Sequence, residues 1–294
     1  MLIPVNITLV PLAFDFDSAG DYLLFCFHIM FGVSAVLLAG SVTVGILGTH
    51  NLRIQNRFIF MVNTSISDTL SGFAVFYLCL FDVRVGLSGK NGTFYILTSL
   101  LGVNILTFLF AQFDRYFAVC HPFFYSRFIT RHLILGINAY SWIQIYGQLL
   151  IQKLLPLSKA IQIQVYGLIT LQFIILTKIT MTIKLLVVAK YQLERDPPSP
   201  EKESKKESLQ IIVMVVVCFL TLWFPSLVNL ILRGLSGNGV MFENEAVNPV
   251  SILARCNVLC TPAVYLWASP SLRAAVWKTV WARAFPKLQN KVAL

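Results

Sequence analysis

Long apolar runs separated by short polar breaks dominate the chain. They fall at about 22–48, 58–81, 94–118, 132–156, 161–189, 208–232 and 246–268. Each is close to the about 20 residues that carry a helix across a bilayer. The pattern predicts an all-α membrane protein, a seven-transmembrane helix bundle. The break at Pro156 is the shortest, and a six-span reading would merge or lose one of its neighbours. After the seventh run, Leu272, Val276, Val280 and Trp281 share one helical face opposite Arg273 and Lys278. That spacing predicts a short amphipathic helix lying on the inner leaflet. Asp196 to Ser208 mixes prolines with charges of both signs, so the stretch from about 191 to 207 is expected to be a mobile cytoplasmic loop.

Composition agrees with the pattern. The 294 residues are 57% hydrophobic and 12% charged, and a soluble domain would carry roughly twice that charged fraction. The net charge of +10 does not point to nucleic acid, because the basic residues cluster at the ends of apolar runs. One side holds Arg53, Arg57, Arg115, Arg127, Arg131, Lys184 and most of the later lysines and arginines. The other holds Arg84, Lys90, Lys153, Lys159 and Arg233. The positive-inside rule then puts the N-terminus outside and the C-terminus in the cytoplasm.

Three parts follow: an external segment 1–21, a membrane domain 22–268, and an amphipathic helix with a cytoplasmic tail at 269–294. The sequons at Asn6 and Asn91 fall on outside segments and are expected glycosylation sites. A third, at Asn63, lies inside a span and is read as accidental. The N-terminus has no basic region, so no cleaved signal peptide is expected and the first helix would act as the anchor. The six cysteines lie in or beside apolar runs without metal-ligand spacing.

Several motifs then recur in a fixed order. The third span ends in Asp114-Arg115-Tyr116, with Cys120-His121-Pro122 downstream. The second carries Asn63 and Asp68, the fourth a single Trp142, the sixth Phe219, Trp223 and Pro225, the seventh Pro262 and Tyr265. From about 40 to 280 the chain resembles rhodopsin-like (class A) G protein-coupled receptors, as an atypical orphan or odorant-like member.

The resemblance implies a plasma-membrane receptor, not an enzyme, that passes an extracellular signal to heterotrimeric G proteins. It implies coupling and switch roles for Asp114, Arg115, Tyr116, Phe123, Phe219, Trp223, Pro225, Pro262 and Tyr265. Asp68, Asn104 and Asn257 would form a polar core, in which a bound sodium ion and a protonated Asp68 are both open readings. Leu97, Thr98 and Leu101 would face the ligand. No acid stands among them, so a biogenic amine is not expected.

The departures matter too. Ser41 and Thr261 stand where the family usually has asparagines, Lys90 where it has the stapling cysteine, and the fifth span lacks its proline. Lys205 sits near the position of an acid that holds the resting state, with Glu207 close by. An ionisable group inside the membrane asks for a partner or a role. Arg255 could pair with Asp68 or bind an anionic ligand group, with Arg233 as a second basic candidate. Lys178 is expected to snorkel toward the cytoplasmic interface. No cofactor beyond the sodium ion is expected. Odorant reception, transport or channel activity, and a silent pseudoreceptor remain the rival readings.

Overall fold

The computed structural model describes residues 12–81, 99–191, 200–236 and 246–284. Among them there is no strand, and Leu12 and Phe81 form an isolated antiparallel bridge. The helices are α1 Ala19–Gly48, α2 His50–Arg53, α3 Asn56–Leu80, α4 Leu100–Cys120, α5 Pro122–Phe128, α6 Arg131–Leu154, α7 Leu157–Tyr191, α8 Pro200–Ser236, α9 Pro249–Arg255, α10 Asn257–Ala268, α11 Pro270–Val276 and α12 Ala282–Ala284. A π turn, Trp277–Trp281, joins the last two.

Local signals explain the boundaries. The Ser18 side chain accepts from the Asp21 N–H, and Asp21 returns a bond to the Ser18 N–H, a closed capping box for α1. Thr130 caps α6 through the Leu133 N–H. Pro156 separates α6 from α7, so the fourth and fifth apolar runs form two helices rather than one. Asn248 caps α9, whose first residue is Pro249, at the position where a missing N–H costs nothing.

One expectation needs correction. The stretch from 191 to 207 is not all loop: α8 already begins at Pro200. Proline suits the first helical position, and the Glu/Lys-rich run after it has high helix propensity. Residues 192–199 lie outside the described set.

Polarity is distributed inside out. Leu23, Met30, Leu37, Phe73, Ile143, Phe173, Leu176 and Phe224 are exposed, whereas Ser65, Asp68, Asn104, Thr107, Gln112, Lys178 and Asn257 are buried. An aqueous surface would not carry so many large apolar groups, but hydrocarbon would accept them. Among the described residues, five helical stretches, Ala19–Gly48, Asn56–Tyr77, Ile169–Val188, Leu209–Ser226 and Pro249–Ala268 (α9 with α10), are long and apolar enough to cross a membrane. The fold is that of an all-α membrane protein.

The segment after α10 packs against α1. Leu272, Ala275 and Val276 are buried, in one core with Val42 and Ile46 of α1. Gly45 permits this close approach, since a Cβ there would lie 2.4 Å from Val276 Cγ2. The apolar face of α11 therefore packs on protein.

Candidate functional site

The polar core lies where α3, α4 and α10 meet. Asn104 Nδ2 donates to Asp68 Oδ1 at 2.7 Å. Thr261 donates to Asn257 Oδ1 at 3.5 Å, one turn along α10. Asp68 Oδ2, Asn104 Oδ1 and Ser65 Oγ are buried oxygens without a hydrogen-bond partner among the described residues. Ser65 and Asp68 share a face of α3, three residues apart. This set of oxygens, one of them on a carboxylate, fits a hard monovalent cation by donor chemistry.

Next to it, Asn63 ties three helices. It donates to Thr107 Oγ1 and accepts from Trp142 Nε1, both at 2.8 Å. The sequence offered Asn63 and Trp142 separately, and nothing in their spacing showed that they bond across 79 positions.

Below the core, aromatic rings connect α8 to α4. Trp223 stacks on Phe219 with centroids 5.6 Å apart, and Phe219 meets Phe108 edge-on at 5.9 Å. Lys178 is fully buried between these rings, its Nζ 4.0 Å from the Phe219 centroid and 5.1 Å from that of Phe108. It does not snorkel. Lys178 lies on the inward face of α7, one residue set that also places Thr182 against Gln112 Nε2 at 2.8 Å, so its stem runs into the bundle. Pro225, two residues beyond Trp223, lies inside α8, where it removes one backbone hydrogen bond.

At the end of α4, Arg115 Nε donates to Asp114 Oδ2 at 2.9 Å and the two form an ion pair. Tyr125 of α5 donates to Asp114 Oδ1 at 3.1 Å and accepts from Asn56 at 3.3 Å. Burial first, and then the nearby Asp114 carboxylate, push the Tyr125 hydroxyl above its ordinary pKa, which keeps it a donor. Glu207 reaches Arg57 rather than Arg115, with Oε2 3.6 Å from Nη1. Tyr265 is buried and shares a hydrogen bond of 2.9 Å with Thr64. With Phe108 and Arg115 it lines a small void. Tyr116 packs against Leu185 and Leu209, and Phe123 is 90% exposed.

The two basic candidates separate. Arg255 donates from Nη1 to Cys79 Sγ at 2.7 Å and lines a recess with His28 and Phe31. Of the two roles left open for it, the pairing with Asp68 is not formed: the guanidinium bonds to Cys79 while Asp68 is bonded to Asn104. The Arg233 side chain, Leu97, Thr98, Asn6 and Asn91 lie outside the described residues. Leu101 lines a different cavity of about 470 Å³ between α4, α6 and α7. Trp223 forms part of its wall, with Ile105, Gln144, Gln148 and Thr170.

No family model matches the chain. It is 32% identical to "G-protein coupled receptor 183" of Rattus norvegicus over 114 residues, covering 36% of the chain and 31% of that protein. It is 24% identical to the Mus musculus protein of the same name over 200 residues, covering 59% and 56%. It is 22% identical to "Adenosine receptor A2b" of Homo sapiens over 302 residues, covering 84% and 87%. The chain thus spans about a third to about half the length of the first two relatives. These relatives are rhodopsin-like G protein-coupled receptors, not enzymes, and the similarity to them, at low identity, supports the same kind of protein here.

Proposed function

We propose that this relative of rhodopsin-like receptors crosses the plasma membrane seven times, N-terminus outside, and couples an external ligand to heterotrimeric G proteins. The observation that carries the reading is a continuous series of contacts. Trp223 borders the cavity, stacks on Phe219, and Phe219 meets Phe108. Phe108 in turn borders the void shared by Arg115 and Tyr265. A ligand pressing on Trp223 can shift this packing only if it binds the shifted arrangement more tightly. Pro225 lets α8 bend, having removed a backbone bond.

In that shift Arg115 leaves Asp114 for the G protein, and Tyr265 exchanges Thr64 for a new partner. The exposed Phe123 supplies an apolar plug for a socket on the G protein. Asp68, Asn104 and Ser65 would hold a sodium ion, which supplies positive charge beside the buried carboxylate in the resting arrangement. Asn257 and Thr261 complete that polar layer. Asn6 and Asn91 are glycosylated on the outer side.

The test is surface expression in cells with a panel of G protein dissociation sensors, comparing the intact chain with Arg115→Ala. Basal or ligand-driven dissociation that disappears in the variant supports coupling. Silence of the intact chain across the panel, at normal surface levels, overturns it in favour of a pseudoreceptor.

A further inference from the structure

The Lys178 amine is buried without an acceptor. Its Nζ lies over the Phe219 and Phe108 rings and has no hydrogen-bond partner among the described residues. Two ring faces attract a cation, but they supply none of the lone pairs that an N–H donor meets in water. One turn along α7, Thr182 donates to the Lys178 carbonyl and accepts from Gln112 Nε2 of α4, both at 2.8 Å. The same Gln112 Nε2 also reaches the Lys178 carbonyl at 3.4 Å. The other end of that amide, Gln112 Oε1, is likewise buried and unbonded among the described residues. A donor and an acceptor are therefore both shut off from solvent at one α4–α7 junction. A buried polar group left unpaired destabilises the arrangement that buries it.

An apolar cluster lies between this junction and the Arg115 end of the bundle. Leu185 of α7, about two turns beyond Lys178, packs on Leu209 of α8, and both are buried. Tyr116 of α4 and Val213 of α8 join the cluster. Lys184, beside Leu185, is exposed, and its Nζ stands 6.0 Å from the Tyr116 centroid. The cluster thus separates an exposed amine from a buried one on the same helix. Leu209 and Val213 belong to α8, the helix that Pro225 lets bend, so a movement of α8 parts the cluster.

We propose that the Lys178 amine is a built-in bias toward the open arrangement of the bundle. At rest the Leu185–Leu209 contact shields Nζ and Gln112 Oε1, and when α8 moves that contact parts and water reaches both. Hydration is gained only in the open arrangement, so the side chain shifts the equilibrium toward it, as an interaction that differs between two states must. The chain then opens without ligand for a fraction of the time, and Lys178 sets that fraction. The proposal rests on the receptor reading for the movement of α8, and it assigns a source of ligand-independent activity within it.

The test uses the full chain in phosphatidylcholine nanodiscs without any G protein, and reads backbone hydrogen exchange by mass spectrometry in peptides around Leu185 and Leu209. Exchange there reports how often this end of the bundle opens. Lys178→Met, which keeps the length and lacks the N–H donors, should slow it about fivefold, as the net contribution of one hydrogen bond implies. Leu185→Asn, which lets water into the cluster, should speed exchange in the intact chain and speed it less in the Lys178→Met background, because the two side chains then act on one equilibrium. In cells, Lys178→Met should lower ligand-independent G protein dissociation at equal surface expression. Exchange unchanged or faster in Lys178→Met, or equal acceleration by Leu185→Asn in both backgrounds, overturns the proposal. So does a failure of Lys178→Met to fold, because a side chain that only favours opening is dispensable to the resting arrangement. If exchange responds as expected while the dissociation sensors stay silent for every chain, coupling fails and the bias stands.

Discussion

Arg57 and Glu207 meet at the end of the bundle that carries Arg115, Nη1 3.6 Å from Oε2, and tie the first turn of α3 to α8. Both side chains are mostly shielded, at 10% and 25% exposure, so solvent screens the pair less than it would a surface pair. This contact links α8, the helix expected to move, to a partner other than Arg115. It is proposed as a resting-state restraint, tested as follows.

Arg57→Ala or Glu207→Ala is therefore expected to raise ligand-independent G protein dissociation about fivefold, the population change set by about 1 kcal/mol. The exchange Arg57→Glu with Glu207→Arg should bring it back toward the intact level. Basal dissociation unchanged in both single variants, at equal surface expression, would remove the restraint from the account.

Lys178 Nζ stands over two rings instead of beside a carboxylate. A desolvated cation–π contact returns about 2 kcal/mol, less than the several kcal/mol that burying an ammonium costs. Lys178→Met keeps the length and removes the charge. Its melting temperature in detergent should rise by about 2–4 °C per kcal/mol recovered, whereas Lys178→Ala should lower it by leaving a hole. A fall with methionine equal to that with alanine would show that the amine itself holds the packing.

Among the described residues, Asp68 Oδ2, Asn104 Oδ1 and Ser65 Oγ are buried oxygens open to a cation. If they bind sodium, the intact protein should melt at a higher temperature in sodium chloride than in potassium chloride at equal ionic strength, because a ligand specific for the folded state stabilises it. Asp68→Asn should abolish that difference. Identical melting of the intact protein in the two salts would instead favour a protonated Asp68 bonded to Asn104.

How much of this was legible beforehand varies from residue to residue. The break at Pro156 marked a helix boundary because proline restricts the residue before it, a local effect. The run after Pro200 was misread because composition alone cannot tell a charged loop from a charged helical extension. Trp223, Phe219, Arg115 and Tyr265 were identified through motif order, yet the ring contacts among them were not.

The amino-acid sequence by itself determined the helices and their apolar character, since hydrogen bonding within a helix and the preference of its side chains for hydrocarbon are local properties. Tertiary structure decided which polar groups meet. Asn104 took Asp68, Cys79 took Arg255, Phe219 and Phe108 took Lys178, and Arg57 took Glu207. Each of those pairs joins different helices, and the rotation and tilt that bring them together depend on packing along the whole length, as at Gly45 against Val276.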